Sequence, residues 1–78
     1  MTYVYILQSE TGDRFYVGMT GNVAERLKIH NAGRVRQTAK YLLWRIRTYV
    51  AFADRQRALE FERYLKSASG RAFASKRL

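Results

Sequence analysis

Two stretches near the start of the chain, Tyr3-Val4-Tyr5-Ile6-Leu7-Gln8 and Arg14-Phe15-Tyr16-Val17-Gly18-Met19, are rich in β-branched and aromatic side chains. Such residues suit a pleated, half-buried surface, so each stretch predicts a strand. The intervening Ser9-Glu10-Thr11-Gly12-Asp13 carries turn chemistry at hairpin length, which predicts antiparallel pairing of the two strands. A register in which partner numbers sum to about 23 sets Tyr5 against Gly18 and Leu7 against Tyr16. Alternation then turns Tyr3, Tyr5, Tyr16 and Gly18 to one face.

Asn22 followed by Glu25 has the form of an N-cap with its reciprocal carboxylate, and Asn31-Ala32-Gly33 supplies a stop, predicting a short helix over about 22 to 31. On its wheel Val23 and Leu27 form the apolar centre, while Arg26 and His30, four residues apart, share one edge. Residues 34 to 45 mix Arg34, Arg36, Lys40 and Arg45 with Tyr41, Leu42, Leu43 and Trp44. Periodicity leaves that segment open between a loop and one helical turn. Residues 46 to 52 alternate as a third strand, and Asp54 caps a helical pattern running through about Ala68. Gly70 then interrupts, and Arg71 to Leu78 reads as a final short helix anchored by Phe73 and Leu78. The order β-β-α-β-α-α predicts an α+β fold in one domain over residues 1–78. Its small three-stranded antiparallel sheet is flanked by helices, with the first strand central.

A chain of 78 residues has room for one core. It has no cysteine, which removes disulfides, thiolate nucleophiles and Cys-type zinc sites, and its single histidine, His30, excludes a multi-histidine site. Any metal must be held mainly by carboxylates. The apolar alternation begins at once, without a basic leader, and no apolar run reaches about 18 residues, so cytoplasmic residence is expected and no membrane span. Fifteen Lys and Arg against six Asp and Glu leave a net charge of +9. That density suits a polyphosphate or an anionic surface, with solubility as the bland alternative, and nucleic acid is the expected partner.

Gly18 inside a strand weakens it by roughly 0.5 to 1 kcal/mol relative to alanine, which points to close approach of a backbone or ligand there, or else to a plain bulge. Glu60 and Glu62 lie on the last long helical pattern, where Ala58, Phe61, Tyr64, Leu65 and Ala68 define the buried stripe. Glu62 borders that stripe and Glu60 points away. Glu62 can therefore reach a cleft and bind a hard cation through oxygen, or simply pair with Lys66 at spacing four. Arg26 is either a fixed donor fork for phosphoryl oxygens or a solvated surface arginine.

The triplets Tyr3-Val4-Tyr5 and Tyr16-Val17-Gly18 are followed in order by Thr20, Arg26-Leu27, His30-Asn31 with Gly33, and Ala58-Leu59 leading to Glu62 and Lys66. With this ordered set the chain resembles the GIY-YIG nuclease superfamily, in particular its small stand-alone bacterial members. The resemblance covers the whole chain. It implies metal-dependent hydrolysis of phosphodiester bonds, in DNA sooner than RNA, with one Mg²⁺ or Mn²⁺ on Glu62 and catalytic parts for Tyr5, Tyr16, Arg26 and His30. Tyr16 is the first choice for general base with Tyr5 as helper. A free phenol titrates near 10, so metal and arginine must assist it. Two features depart from the family pattern: Tyr3 stands in place of glycine, and a C-terminal asparagine of some branches is missing.

Gly18 is expected to admit the substrate, and Arg34, Arg36, Lys40, Arg45, Lys66, Arg71 and the Lys76-Arg77 pair to hold phosphates, which positions a strand without reading its sequence. A weak or inactive nucleic-acid-binding module is the alternative. An interaction domain with an exposed patch around Tyr41 and Trp44 is a third reading.

Overall fold

A computed structural model describes residues 1–41 and 43–78. The elements are β1 (Thr2–Ser9), β2 (Phe15–Thr20), α1 (Val23–Asn31), α2 (Arg36–Ala39), β3 (Trp44–Phe52), α3 (Arg55–Leu65) and α4 (Ala68–Arg77). The three strands form one antiparallel sheet in the order β2-β1-β3, so the first strand is central as expected. Tyr5 faces Gly18 and Leu7 faces Tyr16, the register drawn from the sequence. The hairpin closes where Gly12 adopts φ 85°, a left-handed conformation that glycine takes without a Cβ penalty, and its N–H donates to the Ser9 carbonyl at 2.8 Å.

Because β1 is central, both of its faces are buried, and its alternation sorts two cores. Val4 and Ile6 pack with Ala58 and Leu65 of α3 on one side. Tyr5 and Leu7 pack with Val23 of α1 and Trp44 of β3 on the other, with Tyr3, Tyr16 and Leu27 against them. Helices therefore cover both faces, α1 beneath the tyrosines and α3 opposite. Asn22 accepts from the Glu25 N–H at 3.0 Å and Asp54 from the Gln56 N–H at 2.8 Å, so both expected N-caps form.

Several details differ from the sequence reading. The helix order gains α2, one turn within the segment that periodicity left open; Leu42 of that segment lies outside the described residues. β3 begins at Trp44, two residues before the alternation, because the Asn31 side chain acts as a piece of strand. Its Oδ1 accepts from the Trp44 N–H at 2.7 Å and its Nδ2 donates to the Trp44 carbonyl at 3.0 Å. α3 stops at Leu65, short of Ala68.

Gly70 does not interrupt a helix but sits in the first turn of α4, whose cap Ser67 accepts from the Gly70 N–H at 3.1 Å. A Cβ on Gly70 would lie 2.5 Å from the Tyr64 carbonyl carbon and 2.6 Å from the Leu65 Cα, so the glycine lets the two helices meet. Phe73 is largely solvent-facing against the Tyr64 ring, and Ala74 and Leu78 hold α4 to the core instead. Trp44 is buried, its indole N–H donating to the Thr38 carbonyl at 2.9 Å, so the exposed Tyr41–Trp44 patch required by the interaction-domain reading does not form.

Candidate active site

The sheet face beneath α1 brings Tyr5, Tyr16 and His30 together. Tyr5 and Tyr16 rings lie 6.3 Å apart, and the His30 ring lies 5.8 Å from Tyr5 and 4.8 Å from Tyr16. Gly18 makes this packing possible. A Cβ on it would fall on the Tyr5 hydroxyl, 2.6 Å from Cζ and 3.0 Å from Cε2 of Tyr16. The glycine is thus buried under the Tyr5 ring and serves the tyrosine, which is close approach of the kind the strand glycine signalled, made by protein and not by ligand.

His30 is fully buried at 0% exposure, well inside the edge position its helical wheel suggested. Both ring nitrogens are bonded: Nε2 to the Tyr5 hydroxyl at 2.8 Å and Nδ1 to Thr38 Oγ1 at 2.7 Å. Thr38 is also fully buried, and its hydroxyl donates to the Val35 carbonyl at 3.3 Å. Each ring nitrogen thus has one hydroxyl partner, so the neutral ring donates to one of them and accepts from the other. Burial, reinforced by the Arg26 charge, lowers the His30 pKa from its usual value and keeps the ring neutral. Burial raises the Tyr5 pKa, opposed chiefly by the nearby Arg26 guanidinium.

Arg26, partly buried on α1, influences both Tyr5 and His30 by its charge, and Glu62 influences Tyr5 from α3. Of the five residues assigned catalytic parts from the sequence, Tyr5, Tyr16 and His30 pack directly together, while Arg26 and Glu62 reach them through charge. Glu62 is 18% exposed and its Oε2 lies 3.4 Å from Lys66 Nζ, so the spacing-four pair forms as well. Lys66 and Arg71 line the same groove as Tyr16. The other proposed phosphate ligands are spread elsewhere: Arg34 and Arg36 are exposed around the α1–α2 turn, Lys40 lies over the Tyr41 ring, and Arg45 is exposed on β3. Among the described residues no three His, Asp or Glu side chains cluster.

Thr38 escaped the sequence reading. It lies in the segment without usable periodicity, and a lone threonine has no spacing that marks it as the partner of a histidine eight residues earlier. Thr38→Val keeps the shape but leaves the buried His30 Nδ1 without a partner, and is expected to destabilise the fold by about 1 to 3 kcal/mol. Urea unfolding of Thr38→Val and Thr38→Ser, with the serine retaining most of the stability, checks it. The neutral His30 also predicts a pH dependence. Its folded pKa is below the unfolded value near 6.5, so under that pH the unfolded chain binds a proton that the folded chain refuses. Stability should hold above pH 7 and fall toward pH 5.5, by at most about 1.4 kcal/mol per pH unit. Unfolding midpoints at the two pH values test this, a window clear of the lowered Asp13 carboxyl, which titrates in more acid solution.

Comparison with known proteins gives the class of this small α+β domain, a nuclease-type catalytic domain. The family model described as the GIY-YIG catalytic domain matches residues 1–76, and the chain belongs to that family. It is similar to the UPF0213 protein of Lacticaseibacillus paracasei, 40% identical over 65 residues that span 82% of this chain and 72% of that one. The solution NMR structure of a UPF0213 protein from Bacillus halodurans superposes with a TM-score of 0.57 at 31% identity, covering 96% of this chain and 81% of the other. The chain is also 40% identical over 58 residues to a Giardia intestinalis protein named as a structure-specific endonuclease subunit SLX1 homolog. There the match spans 69% of this chain but only 16% of the Giardia protein. No helix among the described residues is long and apolar enough to cross a membrane.

Proposed function

We propose that this protein is a divalent-metal-dependent endonuclease that hydrolyses DNA phosphodiester bonds with little sequence specificity. The observation that carries the reading is the packing of Tyr5, Tyr16 and His30 on one sheet face, with the Tyr5 hydroxyl bonded to His30, in a chain matched over residues 1–76 by the GIY-YIG catalytic domain. The likeness to the named SLX1 homolog supports a substrate chosen by its structure and a part in DNA repair or processing.

Each residue has a chemical part in this reading. Tyr16, less buried than Tyr5, takes the proton of the attacking water as a phenolate, its own proton having passed to solvent beforehand. Tyr5 is its helper, held by the bond of its hydroxyl to His30 Nε2, with the Arg26 charge close enough to act on it. Arg26 meets the charge that develops on the phosphoryl oxygens with a planar, permanently charged fork held by a capped helix. One carboxylate on the cleft rim, with water and substrate phosphate supplying the remaining oxygens, fits the coordination habit of Mg²⁺ or Mn²⁺, and Glu62 is the residue that would hold it. When bound, such an ion polarises the phosphoryl oxygen and steadies the leaving oxygen.

Labelled single-stranded, duplex, flap and four-way-junction DNA, incubated with Mg²⁺ or Mn²⁺ and with EDTA as control, tests the proposal. Cutting is expected only with metal, and Arg26→Ala and Tyr16→Phe are each expected to lower it by about 10²-fold, the scale of losing one positioned transition-state donor or base. The Glu62–Lys66 pair favours one alternative, a binding module whose carboxylate is structural. Salt-sensitive binding with no cleavage of any substrate would establish that alternative.

A further inference from the structure

A groove of about 620 Å³ runs along the edge strand β2 on the α3–α4 side of the sheet and meets the site at Tyr16, and most of its lining has no part in the hydrolytic chemistry. Leu65 and Ala74 contribute an apolar floor, and Phe15 of the edge strand β2 forms one wall. The Phe15 side chain is 55% exposed, an unusual place for so apolar a ring, with the Arg47 guanidinium 5.4 Å from its centroid. Arg47 stands at an irregularity of β3: Ile46 pairs with Leu7 and Thr48 with Ile6, so Arg47 is the extra residue. Bulges of this kind re-aim a side chain. Here the bulge carries Arg47 to Gln8, whose Oε1 accepts from it at 3.4 Å, and over Phe15.

Arg14, Arg47, Lys66 and Arg71 ring the groove against a single carboxylate, Asp13. Tyr16 lines the same groove, and Lys66 joins it to Glu62. An open aromatic face among converging cations, over an apolar floor, is the composition that binds single-stranded nucleic acid: the ring stacks a base and the cations hold the flanking phosphates. A base inside a duplex has no free face to offer Phe15.

We propose that this groove receives one unpaired nucleic-acid strand, a base stacked on Phe15 and its neighbouring phosphates on Arg47 and Arg71, leading the backbone toward Tyr16 and Glu62. The inference rests on the nuclease reading for its purpose, though not for its test.

Binding of a labelled oligothymidylate and of a blunt hairpin duplex is measured in EDTA by fluorescence anisotropy, so that no cleavage intervenes. Phe15→Ala is expected to weaken single-strand binding about tenfold, with duplex binding and thermal stability unchanged and Phe15→Tyr close to wild type. Arg71→Gln should reduce the slope of log affinity against log salt by about 0.7, the single-strand value for one phosphate contact. In Phe15→Trp, the new indole fluorescence should be quenched by oligothymidylate and not by a polyglutamate peptide. Phe15→Ala within twofold of wild type, equal weakening toward duplex, or quenching by the acidic peptide would overturn the proposal. If the single-strand effects hold and no substrate is ever cut, the groove stands and the nuclease reading alone fails.

Discussion

Glu62→Gln is expected to lower metal-dependent cleavage by at least about 10²-fold, while DNA binding in EDTA and the unfolding midpoint stay close to wild type. The substitution is isosteric and removes one negative charge. If Glu62 holds the ion, its loss forfeits several kcal/mol of transition-state charge stabilisation, and each 1.36 kcal/mol is about a factor of ten in rate. The fold has little at stake. Lys66 is 53% exposed, and a pair of this kind at spacing four contributes only about 0.3 to 0.5 kcal/mol. Single-turnover cleavage across a range of Mn²⁺ concentrations is the measurement. Undiminished cutting at every concentration would remove Glu62 from the site.

Gly18→Ala should damage both fold and activity, against the direction intrinsic propensity sets. Alanine in a strand interior is ordinarily favoured over glycine by roughly 0.5 to 1 kcal/mol. At this position the new methyl would occupy the space of the Tyr5 hydroxyl, 2.6 Å from Cζ, and Tyr5 is hemmed by the core and 1% exposed. The ring must shift, and the 2.8 Å bond to His30 Nε2 is the contact it gives up. Overpacking together with a buried, unpaired nitrogen predicts a loss of about 2 to 4 kcal/mol. A displaced phenol and the histidine it orients predict about 10²-fold slower cleavage of the molecules that remain folded. Urea unfolding followed by turnover below the midpoint separates the two effects. A stabilised Gly18→Ala would show that Tyr5 is free to yield.

Much of this arrangement was legible from local pattern. Period-two alternation and a five-residue turn predicted the hairpin and its register, and through the register the shared face of Tyr3, Tyr5, Tyr16 and Gly18. The caps at Asn22 and Asp54 worked because an N-cap is a contact between residues two or three apart. The failures share one cause, which is contact across long sequence separation. Asn31 extended β3 to Trp44 through side-chain bonds spanning thirteen residues, and Gly70 was mistaken for a breaker when it is the point where α4 crosses the end of α3.

The site divides along the same line. Tyr5, Tyr16, Arg26, His30 and Glu62 were marked as one set by the ordered motifs that resemble the GIY-YIG family, since taken singly each of them reads as well as an ordinary structural residue. Only the packed structure decided that His30 is buried and neutral, that Thr38 and Tyr5 are the partners of its two ring nitrogens, and that Arg47 is swung by a bulge onto Phe15. A sequence alone determines periodicity and caps because these are local, whereas burial, proton placement and the convergence of charges depend on which distant segments the sheet and its two layers of helices bring into contact.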